Sequence, residues 1–236
     1  LGRVRAGSAG PRQLLQLRHA LERLPELARQ ALVAGAPVAS LAADFNGAIE
    51  PATLLVAALE EDPPAEVGDG NTLKRGFDTS LDELRVLAED ARGALSALET
   101  SERKRTGLGN LKVGYHRVFG YYLELPRSQA GQAPEEYEPR QTLANAQRYR
   151  YRPLSELEDQ ILSAKERLSE AEKSALDRLC VQLAVTGTGI QLAAEAVARL
   201  DVSAALAELA VDHGYVRPQL LPAGPILIES GRHPVV

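Results

Sequence analysis

Apolar side chains recur at three- and four-residue spacing along most of this chain, and the stretches that break the pattern divide it into elements. After Pro11, which suits a first helical turn, Leu14, Leu17, Leu21 and Leu24 predict a helix. Pro25 kinks that helix or begins a new one, and Leu27, Ala31 and Leu32 continue it. Pro37 to Ala58 reads as one or two further short helices, with Leu41, Phe45 and Ile49 on one face. Glu60 to Asp78 is turn chemistry and predicts a surface loop docked through Leu73 and Phe77. Ser80-Leu81-Asp82-Glu83 fits a capping box, and Leu81, Leu84, Ala88, Ala91, Leu95 and Leu98 then form a heptad seam. The predicted helix reaches about Thr106 and is about 40 Å long at 1.5 Å per residue. Ser155-Glu156-Leu157-Glu158, just after Pro153, is a second capping box. Its seam runs through Leu154, Leu157, Ile161, Ala164, Leu168, Ala171 and Ala175. Thr186 to Gly189 is a break. Ile190 to His213 reads as another helix, or a pair with Asp201 capping the second, and Gly214 as its left-handed cap. Tyr215 to Val236, with its prolines, reads as strand-like.

Between the two seams the pattern changes. Leu111 to Val118 and Phe119 to Leu125 are rich in Val, Tyr and Phe and predict strands, with Gly114 and Gly120 at bulges or a tight reversal. Pro126 to Pro134 predicts a loop. Tyr137 to Leu143 and Ala146 to Tyr151 predict two more strands joined by a turn at Asn145. The expected fold class is therefore mainly α with a small β insertion. Two long antiparallel helices carry the β module at their tip and pack on a helical core.

Composition sharpens this picture at one place. Six of the seven tyrosines lie between Tyr115 and Tyr151, so the rest of the core must be aliphatic. The net charge of −5 is unevenly spread. From Arg103 to Arg152 ten Lys and Arg face four acids, a surplus of +6, which leaves −11 for the remainder. A polyanion would meet the β module and be repelled elsewhere. The lone Cys180 has no internal disulfide partner, as expected in a reducing cytoplasmic setting, and should be a small buried thiol. The chain has no methionine, even at position 1, so it is expected to be a piece of a longer protein. No apolar run is long enough to span a bilayer, so no membrane partner is expected.

Arg140, Thr142 and Asn145, at a predicted strand end, are suited to donate hydrogen bonds to phosphate oxygens; the competing reading is a solvated turn. Lys112, Arg117 and Arg148 add candidate backbone contacts, as do Arg150 and Arg152, although strand alternation must turn some of these cations away from any ligand. Tyr115, Tyr121, Tyr122, Tyr149 and Tyr151 are read as the module's own core ahead of base stacking. The four histidines lack metal spacing, Glu135, Glu136 and Glu138 form an exposed acidic run, and no catalytic constellation is present. The phosphate-loop pattern Gly-x-x-x-x-Gly-Lys-Ser/Thr does not occur. Two functions fit: a DNA-backbone clamp carried on levers, or a coiled-coil spacer whose basic tip binds an acidic protein partner.

Leu111-Lys112-Val113-Gly114-Tyr115, Val118-Phe119-Gly120-Tyr121-Tyr122 and Arg140-Gln141-Thr142-Leu143-Ala144-Asn145-Ala146 resemble the clamp of the MutS family of DNA mismatch-recognition ATPases. Leu154-Ser155-Glu156-Leu157-Glu158 resembles the lever that follows it, Gly10-Pro11-Arg12 an early core helix, and Gly231 to Val236 the beginning of the ATPase domain. The resemblance implies a core and lever part over residues 1–105 and the clamp over 106–152. It then implies a second lever and core part over 153–214 and the start of the ATPase domain over 215–236. It implies a grip on double-stranded DNA through backbone phosphates, linked to ATP and Mg used elsewhere in the family protein, with no cofactor held by this segment. A homodimer and a MutL-type repair partner are implied likewise. Ala144 stands where the family commonly has Lys, and Gln147 where Glu is usual. The loss of that lysine shifts the expected phosphate contact towards Arg140 and Arg148.

Overall fold

The computed structural model describes residues 1–36 and 38–231, so all but Gly231 of the last motif lies outside it. A single turn, α1 (Gly2–Arg5), precedes α2 (Pro11–Glu22) and α3 (Leu24–Ala34), which break apart at Arg23. A 3-10 helix (Val38–Ala48) leads into α4 (Ile49–Ala58). Two long helices follow, α5 (Thr79–Thr106) and α6 (Arg152–Val185), and α7 (Gly187–Asp212) leaves α6 at 63°. Between α5 and α6 lie β1 (Lys112–His116), β2 (Gly120–Pro126), β3 (Glu138–Thr142) and β4 (Ala146–Arg150). They form one antiparallel sheet in the order β1-β2-β4-β3. Among the described residues no single helix is long and apolar enough to cross a membrane.

The seams bring α5 and α6 together in opposite directions. Asp78 is ion-paired with Arg178 at one end, and Glu102 meets Tyr151 at the other. Apolar burial is concentrated at the two ends of this pair. At the base, Leu14, Leu55, Leu59, Leu73, Leu81, Leu179 and Leu183 are almost wholly buried, with Ile190 and Ala193 of α7 beside them. At the tip, Leu108, Leu111, Leu123, Leu125, Tyr137, Tyr149 and Leu154 form a second core against Leu95 and Leu98. Between the two, small residues including Ala91, Ala94, Ser163 and Ala164 line a cleft of about 600 Å³. Cys180 is buried in the base, and burial raises its thiol pKa. The 3-10 helix crosses the start of α7 backbone to backbone. A Cβ on Gly47 would lie 2.8 Å from the Gly189 Cα, so this crossing needs glycine.

Local signals for helix starts were only partly right. Asp78, not Ser80, caps α5, accepting the Leu81 N–H at 3.0 Å, because its carboxylate sits one step before the first helical residue. Helix α6 begins at Arg152 with Pro153 in its first turn and no side-chain cap, and Ser155 instead donates to the Tyr151 carbonyl at 3.5 Å. Asp201 lies inside an uninterrupted α7, whose alanine-rich sequence favours continuation. Residues 215–231 form no strand and are exposed; they have no neighbour to pair with among the described residues. Ile49 is 56% exposed and does not share the burial of Leu41 and Phe45, because the chain changes from 3-10 to α-helix there and the face rotates.

The loop before α5 is fixed from both long helices. Leu59 and Leu73 form a β-bridge in the base core. The wholly buried Glu172 carboxylate of α6 accepts the backbone N–H groups of Gly68, Gly70 and Thr72 at 2.8, 3.0 and 2.7 Å. Arg85 of α5, also buried, donates to the carbonyls of Gly70 (2.8 Å) and Leu73 (2.5 Å) and to Asp82 (2.6 Å). These two side chains, with the backbone bonds Glu60 N–H to the Thr72 carbonyl (3.1 Å) and Lys74 N–H to the Ala58 carbonyl (2.8 Å), pair the polar backbone that the loop brings into the core. Glu172→Ala, which orphans three amides, is expected to cost about 3 kcal/mol or more, and Glu172→Gln, which keeps one acceptor oxygen, clearly less. Urea denaturation monitored by circular dichroism checks this, and equal midpoints for parent and Glu172→Ala would refute it.

Candidate nucleic-acid interface

Strand alternation gives the sheet two chemically different faces. Val113, Leu123, Leu125, Tyr149 and Tyr151 face the arms and the tip core. The opposite face carries the row Lys112–Glu124–Arg148–Gln141, read across all four strands from the register. Tyr122 lies beside this row, across Gly114. A Cβ on Gly114 would be 2.5 Å from the Tyr122 ring, so the glycine makes the room the ring occupies. The expected tyrosine core is therefore only partly realised. Tyr122, Tyr137 and Tyr149 are buried, Tyr121 and Tyr151 half-buried, and Tyr115 is 58% exposed.

The six candidate contact residues fall into three places. Thr142 and Asn145 are exposed at the β3–β4 turn, with the Thr142 hydroxyl donating to Gln147 at 2.7 Å. The Asn145 carbonyl accepts the Arg127 N–H at 3.0 Å, which brings exposed Arg127 to the same turn. Lys112 and Arg148 share the outward row, and Arg140 stands beside them on β3. Arg117 is exposed in the β1–β2 turn at the opposite end of the sheet, where Tyr121 N–H reaches Glu158 of α6 at 3.4 Å. Seven residues of β2 separate that turn from Thr142 and Asn145, about 20 Å.

Pairing divides the ten cations of the insertion. Arg103 binds Glu99 at 2.6 Å and Arg152 binds Glu156 at 2.9 Å. Arg105 binds Glu102 at 2.7 Å and Glu136 at 2.5 Å. Arg148 is held by Glu124 (2.9 Å), by Gln141 (3.0 Å) and by the Tyr122 ring, whose centroid is 4.4 Å away. Among the described residues Lys104, Lys112, Arg117, Arg127, Arg140 and Arg150 have no ion-pair partner. These six supply the surface charge. Arg148 instead ties β2, β4 and β3 together across the outer face.

Carboxylates of the helix ends hold the sheet in place. Glu99 accepts the Val113 N–H at 2.7 Å, and Arg103 donates to the Leu111 carbonyl at 2.6 Å. Glu102, only 4% exposed, accepts the Tyr137 hydroxyl at 2.7 Å and the Tyr151 hydroxyl at 3.1 Å beside its pair with Arg105. Burial pushes the Glu102 pKa up, but the hydrogen bonds from Arg105, Tyr137 and Tyr151 outweigh it and hold the carboxyl below its ordinary 4.5. Burial, followed by the Glu102 bond, pushes the Tyr137 phenol well above its usual 10.0. Sequence reading missed Glu102 and Tyr137 because neither interrupts a pattern, and it missed Phe119 as a partner of Arg140. Arg127 was visible only as one charge of the surplus.

A small basic sheet inserted between two long paired helices defines an α-helical carrier of a β module. Residues 76–167, which take in α5, the sheet and half of α6, match the family model described as MutS family domain IV. The chain is 40% identical over 235 residues to a protein of Desulforamulus reducens named DNA mismatch repair protein MutS. That match covers 99% of this chain and 27% of the relative, so the chain spans about a quarter of the length of the curated protein it resembles. The chain belongs to the MutS family.

The Glu102 cluster gives a pH prediction. A folded-state pKa below the unfolded value contributes stability above about 4.5, and that stability is lost as pH falls through the depressed pKa. Glu102→Gln should therefore melt below the parent at neutral pH, and the gap should narrow on acidification from pH about 6 to about 3. Thermal melts across that range test it, and a gap independent of pH would contradict the assignment.

Proposed function

We propose that the sheet at the end of α5 and α6 is a clamp that holds double-stranded DNA through backbone phosphates. In this reading the two helices are levers joining it to the ATPase part of a mismatch-repair protein. The observation that carries it is the charge separation. Among the described residues six unpaired cations lie on or beside a four-stranded sheet, while the rest of the chain is −11 by sequence. Phosphate contacts of this kind position a protein without reading sequence. Lys112 and Arg140 are offered by the outer face, Thr142, Asn145 and Arg127 by the β3–β4 turn, and Arg117 by the far turn as a separate contact. Arg148 supports the outer face through Glu124 and Gln141.

The family membership and the relative's printed name support the placement in mismatch repair. ATP and Mg belong in this reading to the ATPase part of the family protein, since the phosphate-loop pattern is absent from these residues. The working form is a cytoplasmic homodimer that recruits a MutL-type partner. A closed grip on DNA then comes from two clamps acting together.

Fluorescence anisotropy with a random duplex tests the phosphate reading. Neutralising two to four phosphates predicts a log K against log salt slope of about −2 to −4, with micromolar or weaker binding at physiological salt. Lys112→Ala should make the slope less steep by about one unit, and Asn145→Ala should weaken binding with the slope unchanged. Mismatched and matched duplexes should behave alike. Affinity that ignored salt would refute the phosphate clamp and favour an acidic protein partner.

A further inference from the structure

We propose that Phe119 is a positioning residue for phosphate binding: its ring is the platform that holds the Arg140 guanidinium in its binding orientation. The inference rests on the phosphate-clamp reading and deepens it. Two independent observations meet at this pair. The register of β3 against β4 shifts between Pro139 and Gln141, so Arg140 is the residue outside the ladder. A bulge of this kind re-aims the side chain it carries. The re-aimed guanidinium lies over the Phe119 ring, 5.1 Å from its centroid. No carboxylate pairs with Arg140 among the described residues, and the guanidinium rests on the ring.

The ring is itself fixed. His116 stacks on it at 4.0 Å with 13° between planes, and its Nδ1 accepts the Val118 N–H at 3.2 Å, which closes the turn. Tyr122 meets the ring at 5.8 Å and 52°. Gly120, with φ of 77°, supplies the left-handed conformation that reverses the chain directly after Phe119. The two arginines of the outer face are thus treated differently. Arg148 over Tyr122 has its charge met by Glu124, whereas Arg140 over Phe119 keeps an unmet charge in an ordered position. A free arginine must give up rotamer freedom when it binds phosphate, and stacking removes part of that loss beforehand. An aromatic face also leaves all the guanidinium N–H groups available, which a carboxylate would not.

The test is a double-mutant cycle in the 236-residue chain, reading duplex affinity and salt slope by anisotropy. Arg140→Ala should weaken binding and flatten the slope by about one unit. Phe119→Leu should weaken binding by about two- to fivefold with the slope unchanged, because no charge is lost. In the Arg140→Ala background Phe119→Leu should have no further effect, and Phe119→Tyr, which keeps a ring, should bind as the parent does. Phe119→Leu losing the same factor in both backgrounds, or Phe119→Tyr being as weak as Phe119→Leu, would overturn the platform while leaving the phosphate clamp standing. Arg140→Ala leaving both affinity and slope unchanged would overturn the platform and Arg140's place in the clamp together.

Discussion

The buried carboxylate of Glu102 is the constraint on which the upper half of this molecule depends. It sits near the end of α5 and receives hydrogen bonds from Tyr137, in the connection entering β3, and from Tyr151, the residue before α6. Three separate parts of the chain therefore meet at one anion, with Arg105 balancing its charge. Among the described residues the tip core has seven buried side chains, with Leu95, Leu98, Val113, Tyr121, Ala133 and Tyr151 packed against them, and apolar contact of this kind is non-directional. Directional bonds from Glu102, together with Glu99 on Val113 and Glu158 on Tyr121, set the angle between sheet and helices. The carboxylates that hold the sheet are carried by the helices, while among the described residues five of the six unpaired cations lie on the sheet or its connections and Lys104 in the last turn of α5.

A second buried anion, Glu172, performs the corresponding task at the base, where it pairs the amides of the loop before α5. The two helices are thus pinned at both ends, and between the ends Leu84, Ala91, Ala94, Ser163 and Ala164 are among the residues lining a cleft of about 600 Å³. The Gly47–Gly189 crossing sets the start of α7 against the base.

Much of this was legible in the residues because it is encoded locally. Heptad seams at 81–98 and 154–175, the glycines before β1, and the Asn145 turn depend on neighbours within a few positions. What was not legible depends on pairings between distant segments. Arg117 and Asn145 look like members of one set of phosphate contacts until the antiparallel β1-β2-β4-β3 sheet places them at opposite ends. Arg148 looks like a free cation until the register sets Glu124 opposite it. Arg140 stands at a register shift of β3 and lies over the ring of Phe119, a residue of a distant turn. Glu172 reads as an ordinary helix-surface acid, since its three donors lie about a hundred residues earlier. Helix starts failed for a different reason: Asp78 and Ser80 both precede an apolar run, and only geometry selects between them.

The claim that DNA meets the sheet and not the helices can be tested directly by hydrogen exchange of this chain with and without a short duplex. Amides between Lys112 and Arg150 should gain protection, most of all around Arg140 to Asn145. The α5 stretch from Thr79 to Gly93 and the described α7 should exchange as before. Protection gained along α5 or α7, with the sheet unchanged, would contradict the account.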